Sequence, residues 1–104
     1  MDTLTRLEAT IAQRRTADPA SSYVAQLSAR GTPVMARKLG EEAVEACVAA
    51  LAGSREDLVG EAADLLFHLI VLLADKGIPF SEVTAELDRR EGTSGLDEKA
   101  SRSA

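Results

Sequence analysis

The residues able to do chemistry lie between positions 38 and 68: Lys38, Glu41, Glu42 and Glu45, then Glu61, Asp64 and His68. On a helix turning about 100° per residue, Lys38, Glu41, Glu42 and Glu45 share one sector, and Leu39, Ala43, Ala46, Cys47, Ala50 and Leu51 take the other. The second group repeats the plan. Glu61 and Asp64 stand one turn apart, with Asp57 before them and His68 after, while Leu58, Ala62, Leu65, Leu66, Leu69 and Leu73 define a broad apolar face. Two antiparallel helices carrying Glu42/Glu45 and Glu61/Asp64 can bring four carboxylates together, and four clustered negative charges would need a compensating cation. Oxygen donors suit Mg²⁺, with Mn²⁺ as a substitute, and disfavour zinc, for which thiolate and imidazole are lacking. Val71 and Leu72 flank the polar sector, so the acidic strip is expected to lie between apolar walls, partly buried. The competing reading is a solvated acidic face, the commonest fate of a Glu-rich helix surface.

The elements that must position these groups are helical. Apolar residues recur at three and four positions, with no polar/apolar alternation. A first helix is expected from Thr3 to Arg15, with Leu4, Leu7 and Ile11 on one stripe and Thr5–Glu8 spaced as a capping box, before Asp18-Pro19 breaks it. A second runs from Ser21 to Arg30 and stops at Gly31. Thr32 as N-cap and Pro33 at the first helical position start a third, which reaches Ala52. Gly53-Ser54 joins it to a fourth, ending near Lys76 before Gly77 and Pro79; so short a link makes the two long helices a hairpin. Ser81 is expected to cap a fifth, fading between Arg90 and Gly92. The expected fold is all-α, about five helices in one domain over residues 1–91. Residues 92–104 read as a loose tail.

Composition narrows the function classes. Twelve Lys plus Arg against 17 Asp plus Glu give a formal charge of −5, and only three aromatics are present. Both argue against a nucleic-acid partner, which needs basic patches or stacking platforms. The longest oily stretch, Leu65 to Ala74, is far short of the roughly 20 residues that span a bilayer, and residues 1–15 lack a signal-peptide pattern. A single cysteine, Cys47, excludes an internal disulfide and fits a reducing cytoplasmic setting. On the apolar side of the third helix it is expected to pack as a small hydrophobe. The fourth helix is apolar over most of its circumference, more than a lone hairpin covers, so a homodimer or a dimer of dimers is expected.

Glu-Glu-x-x-Glu at Glu41, Glu42 and Glu45, then fifteen residues, then Glu-x-x-Asp at Glu61 and Asp64 resembles the signature of the all-α, MazG-like nucleotide pyrophosphatases. Ser22-Tyr23, the Leu27–Gly31 stretch, the Lys38–Glu45 and Glu61–Leu69 segments and the Leu87–Glu91 stretch narrow the resemblance to the phosphoribosyl-ATP pyrophosphatase family, over about Leu4 to Glu91. The resemblance implies Mg²⁺-dependent hydrolysis of the α–β phosphoanhydride of phosphoribosyl-ATP to phosphoribosyl-AMP and pyrophosphate, a step of histidine biosynthesis. The zinc-type cysteines of the cyclohydrolase often fused to this unit are absent, so one step is expected of this chain.

Motif position and shared helix faces assign Glu42, Glu45, Glu61 and Asp64 as metal ligands. Glu41, the first Glu of the motif, is the candidate catalytic residue that orients the attacking water; an ion pair with Arg37 or Lys38 is the alternative. Lys38 is the candidate phosphate-binding cation, against a surface pair with Glu42. His68 is a candidate to hold a ligand carboxylate from behind, or a satisfied core histidine. Tyr23 contacts substrate or packs on the third helix. Two other functions fit parts of this pattern: a house-cleaning nucleoside triphosphate pyrophosphatase with the same metal chemistry, and a non-catalytic helical adaptor docking by its acidic face.

Overall fold

The computed structural model describes residues 2–92 and 95–103. Among the described residues all regular structure is helical: α1 (Thr3–Arg14), α2 (Tyr23–Arg30), α3 (Thr32–Ala52), α4 (Arg55–Asp75), α5 (Phe80–Arg90) and α6 (Gly95–Ser103). The sixth helix falls in the stretch expected to be a loose tail. Among the described residues, the antiparallel α3–α4 hairpin is the dominant contact, and α1 and α2 pack against it. No described helix is long and apolar enough to cross a membrane.

The helix boundaries follow local chemistry, with three corrections to the caps. Asp2, not Thr5, caps α1: its carboxylate accepts the Thr5 N–H at 2.8 Å. Thr5 is therefore already inside the first turn and Glu8 in the helix interior, so the expected box cannot form. α2 starts at Tyr23, one residue beyond Ser22, whose hydroxyl accepts the Ala25 N–H. Gly31 ends α2 at φ +93°, backbone that residues with a Cβ rarely adopt. Gly31 rather than Thr32 then caps α3. Thr32 is helical, and its hydroxyl donates to Asp75 at the far end of α4. Ser54 caps α4 as expected, with a full reciprocal box to Asp57. Ser81 does not cap α5. The helix begins at Phe80, whose N–H donates to the Glu8 carboxylate of α1 at 2.6 Å.

The hairpin turn is tight at Gly53. A Cβ there would sit 3.0 Å from both the Ala49 carbonyl and the Asp57 carboxylate, so no larger residue fits without movement. At the opposite end Arg15 donates to the Ala74 carbonyl at 3.0 Å and lies 3.9 Å from Asp75. Together with Thr32–Asp75 this ties the end of α1 and the start of α3 to the end of α4.

The core consists of Ile11, Val24, Leu27, Met35, Ile70 and Val71, with Leu4, Leu7 and Phe67 packed against it. The α1 stripe is as expected; the faces of α3 and α4 are not. The buried residues of α3 are Met35, Glu42 and Ala49, and those of α4 are His68, Ile70 and Val71. The acidic strip is partly buried, as expected, with Glu42 buried, Glu61 half-buried and Glu41, Glu45 and Asp64 exposed; Val71, expected at its flank, is core. Val44, Val48, Leu51, Val59 and Leu66 remain exposed, Leu51 at 89%. Cys47, expected to pack, is also exposed in the protomer. Both helices are apolar over much of their circumference, so periodicity alone did not choose the inward side.

Candidate active site

Because α3 and α4 run antiparallel from a two-residue turn, Glu42 and Glu45 face Glu61 across the hairpin. One carboxylate oxygen from each of these three residues lies within 4.8 Å of the others. Glu42 is 8% exposed, and the Oε2 atoms of Glu42 and Glu61 are buried without a hydrogen-bond partner. Buried carboxylate oxygens without donors are costly unless a cation or proton meets them. Burial therefore raises the Glu42 carboxyl above its ordinary range, assisted by a hydrogen bond with Glu45 and by the charges of Glu45 and Asp64, against which the nearby His68 acts. Glu61 is raised for the same reasons, burial first, then its hydrogen bond to and repulsion by Glu45, then Glu42 and Asp64.

Three of the four expected ligands are thus brought together. Asp64, one turn along α4 and exposed, stands outside the set of three, near enough for its charge to act on Glu42 and Glu61. Glu41 also lies outside it. Its carboxylate is 3.5 Å from Arg37 Nε and 3.4 Å from Lys38 Nζ, the ion-pair arrangement that the sequence left open beside a catalytic one. Lys38 therefore pairs with Glu41, not with Glu42, and that hydrogen bond first, then Tyr23 and the Glu41 charge, holds the ammonium above its usual pKa. Its side chain is 30% exposed.

His68, 6% exposed, is the satisfied core histidine that the sequence offered beside a role behind a ligand carboxylate. Its Nδ1 is 2.8 Å from the backbone carbonyl of Asp64, so it contacts the main chain of that residue instead of a ligand carboxylate. Its Nε2 is 3.1 Å from the Tyr23 hydroxyl. Tyr23 meets α4 by its ring, which stacks with Phe67 at 6.2 Å and meets His68 edge-on. The only sequence signal for this was Ser22-Tyr23 within the family resemblance. Beside the carboxylates, Glu45, Val48, Ala49, Ala52 and Glu61 line part of a cavity of about 330 Å³ at the hairpin turn.

The fold and site define a class: an all-α protein whose facing hairpin helices bring together Glu42 and Glu45 of an EExxE motif and Glu61 of an ExxD motif. Residues 4–91 match the phosphoribosyl-ATP pyrophosphohydrolase family, and the chain belongs to that family of hydrolases. Its relatives include the phosphoribosyl-ATP pyrophosphatases of Rhizorhabdus wittichii, 68% identical over 96% of this chain and 94% of the relative, and of Erythrobacter litoralis, 68% identical over 98% of each. That of Novosphingobium aromaticivorans is 66% identical over 96% of this chain and 94% of the relative.

Proposed function

We propose that the protein hydrolyses phosphoribosyl-ATP to phosphoribosyl-AMP and pyrophosphate, the histidine-biosynthetic step, with Mg²⁺ held by Glu42, Glu45 and Glu61 and Asp64 completing the acidic site. The observation that carries the metal reading is the pair of buried, unpartnered oxygens on Glu42 and Glu61, converging with Glu45. An all-oxygen donor set of this charge fits Mg²⁺, and Mn²⁺ as its substitute. When bound, the ion supplies charge neutralisation for the phosphates of the substrate and of the departing pyrophosphate. Lys38 adds a compact positive charge one turn before the carboxylates, suited to a phosphate oxygen. Glu41 orients the Lys38 and Arg37 cations; if it also orients water, Glu41→Gln lowers turnover without loss of metal affinity.

The protein is further proposed to act as a homodimer. Val44, Val48 and Leu51 on α3 and Val59 and Leu66 on α4 expose an apolar surface that a second copy would cover. Light scattering at micromolar concentration tests this, and a monomer refutes it. An exposed thiol at Cys47, free of any disulfide, suits the reducing cytoplasm proposed as its location.

The test of activity is pyrophosphate release from phosphoribosyl-ATP with and without Mg²⁺, beside ATP, dCTP and dUTP, in wild type and Glu61→Gln. The proposal expects turnover of phosphoribosyl-ATP alone, requiring Mg²⁺ and lost in the variant. Turnover of the free triphosphates would instead assign the house-cleaning activity, and silence on every substrate would leave the acidic face as a docking surface.

A further inference from the structure

Tyr23 is the polar residue near the site to which the carboxylate chemistry gives no task, yet it is tied to that site by two hydrogen bonds in series. The Asp64 carbonyl can only accept, so the His68 Nδ1 facing it at 2.8 Å carries the proton. In the neutral ring Nε2 is then an acceptor, and the Tyr23 hydroxyl 3.1 Å away is the donor. Each link has one direction. The ring is further confined by Phe67, edge-on at 5.2 Å, and by Tyr23 itself at 5.9 Å.

We propose that Tyr23 is a positioning residue for the metal-binding carboxylates, acting through His68: the chain Tyr23 O–H → His68 Nε2 and His68 Nδ1–H → Asp64 O holds the turn of α4 that carries Glu61 and Asp64 against Glu42 and Glu45. It rests on the reading of the acidic cluster as the metal site. Two consequences are built into the polarity of the chain. His68 is kept as one tautomer and is not itself a metal ligand, because both nitrogens are engaged. Removing the Tyr23 hydroxyl leaves a buried Nε2 without its donor, and the ring can then turn away from the Asp64 carbonyl to find water. Outer partners that orient ligand-bearing groups are commonly worth tenfold or more in metal affinity. Tyr23 acts at one further remove, so a loss of about threefold to tenfold is expected.

The chain has a single histidine, so its imidazole nitrogen signals need no assignment. The experiment compares full-length wild type and Tyr23→Phe by ¹⁵N NMR of the ring at about pH 8, above the ordinary histidine range, and by calorimetric titration with Mg²⁺ and Mn²⁺ alone. Wild type is expected to give the Nδ1–H tautomer, and Tyr23→Phe a mixture with threefold to tenfold weaker metal binding and a near-native melting temperature. Thr32→Val, which breaks the remote bond to Asp75, serves as the structural control: it should lower the melting temperature and leave metal affinity unchanged. An Nε2–H tautomer in wild type, or unchanged metal affinity in Tyr23→Phe, overturns the proposal. A wild type that binds neither ion refutes the metal reading and Tyr23's role together. An intact Nδ1–H signal would distinguish that case from failure of the hydrogen-bond chain.

Discussion

Replacing Glu42 by Gln should stabilise the metal-free protein and remove most of its stabilisation by Mg²⁺. Glu42 and Glu45 place carboxylate oxygens within 4.8 Å of each other. Two full charges at that distance repel by about 3.5 kcal/mol at an effective dielectric of about 20. Glu45 is exposed, so solvent screening reduces the pair to about 1 kcal/mol. An amide at position 42 removes the repulsion, and its NH₂ group can donate to Glu45 or Glu61. In a domain this small about 1 kcal/mol corresponds to 4–8 °C in melting temperature. Saturating wild type at about 100 times the dissociation constant should add about 2.7 kcal/mol, whereas a variant weakened 100-fold would gain only about 0.4 kcal/mol at the same concentration. The pH dependence follows the same charges. Glu42 and Glu61 are raised above 4.5 in the folded protein. As pH rises from 4.5 through those raised values, the native state holds protons that the unfolded chain has released, so stability falls, and the full penalty remains above that window. Glu42→Gln should flatten this decline. The assay is thermal unfolding at fixed protein concentration, with chelator and with Mg²⁺, from about pH 5 to pH 8. A variant that melts below wild type in chelator and keeps the full Mg²⁺ shift would refute the reasoning.

Two other predictions probe the neighbouring contacts. Lys38→Met should raise the KM for phosphoribosyl-ATP about tenfold, or about 1.4 kcal/mol, with little change in kcat, and steady-state kinetics showing an unchanged KM would rule out a phosphate role. Glu8→Ala removes the charged acceptor of the Phe80 N–H at the start of α5, so urea unfolding should report a loss of about 1–2 kcal/mol; a cost within error would mean that water replaces the cap.

The five helices over residues 3–90, the tight hairpin and the Ser54 cap were legible because each depends on neighbours in the chain: periodicity, a helix-stopping Gly or Pro, a hydroxyl three residues before an acid. The pairing of Glu42 and Glu45 with Glu61 was legible too, since a two-residue turn leaves two helices little choice but to lie antiparallel. Glu8 and Thr32 were misread as local caps because their partners, Phe80 and Asp75, are 72 and 43 residues away. No window of sequence contains such a pair.

Sequence by itself determined an all-α chain with acids at one-turn spacing on two adjacent helices, and the family to which those motifs belong. Tertiary structure alone decided which apolar residues of α3 and α4 are buried. α3 and α4 carry apolar residues over much of their circumference, and the residues turned inward were selected by contact with α1 and α2, which cover Met35, Ile70 and Val71 and leave Val44, Val48 and Leu51 outside. That choice buries Glu42 and separates the set of three carboxylates from Glu41. It also brings Tyr23 to His68 across 45 residues. Burial and hydrogen-bond direction are properties of packed surfaces, and the spacing of residues along one helix does not contain them.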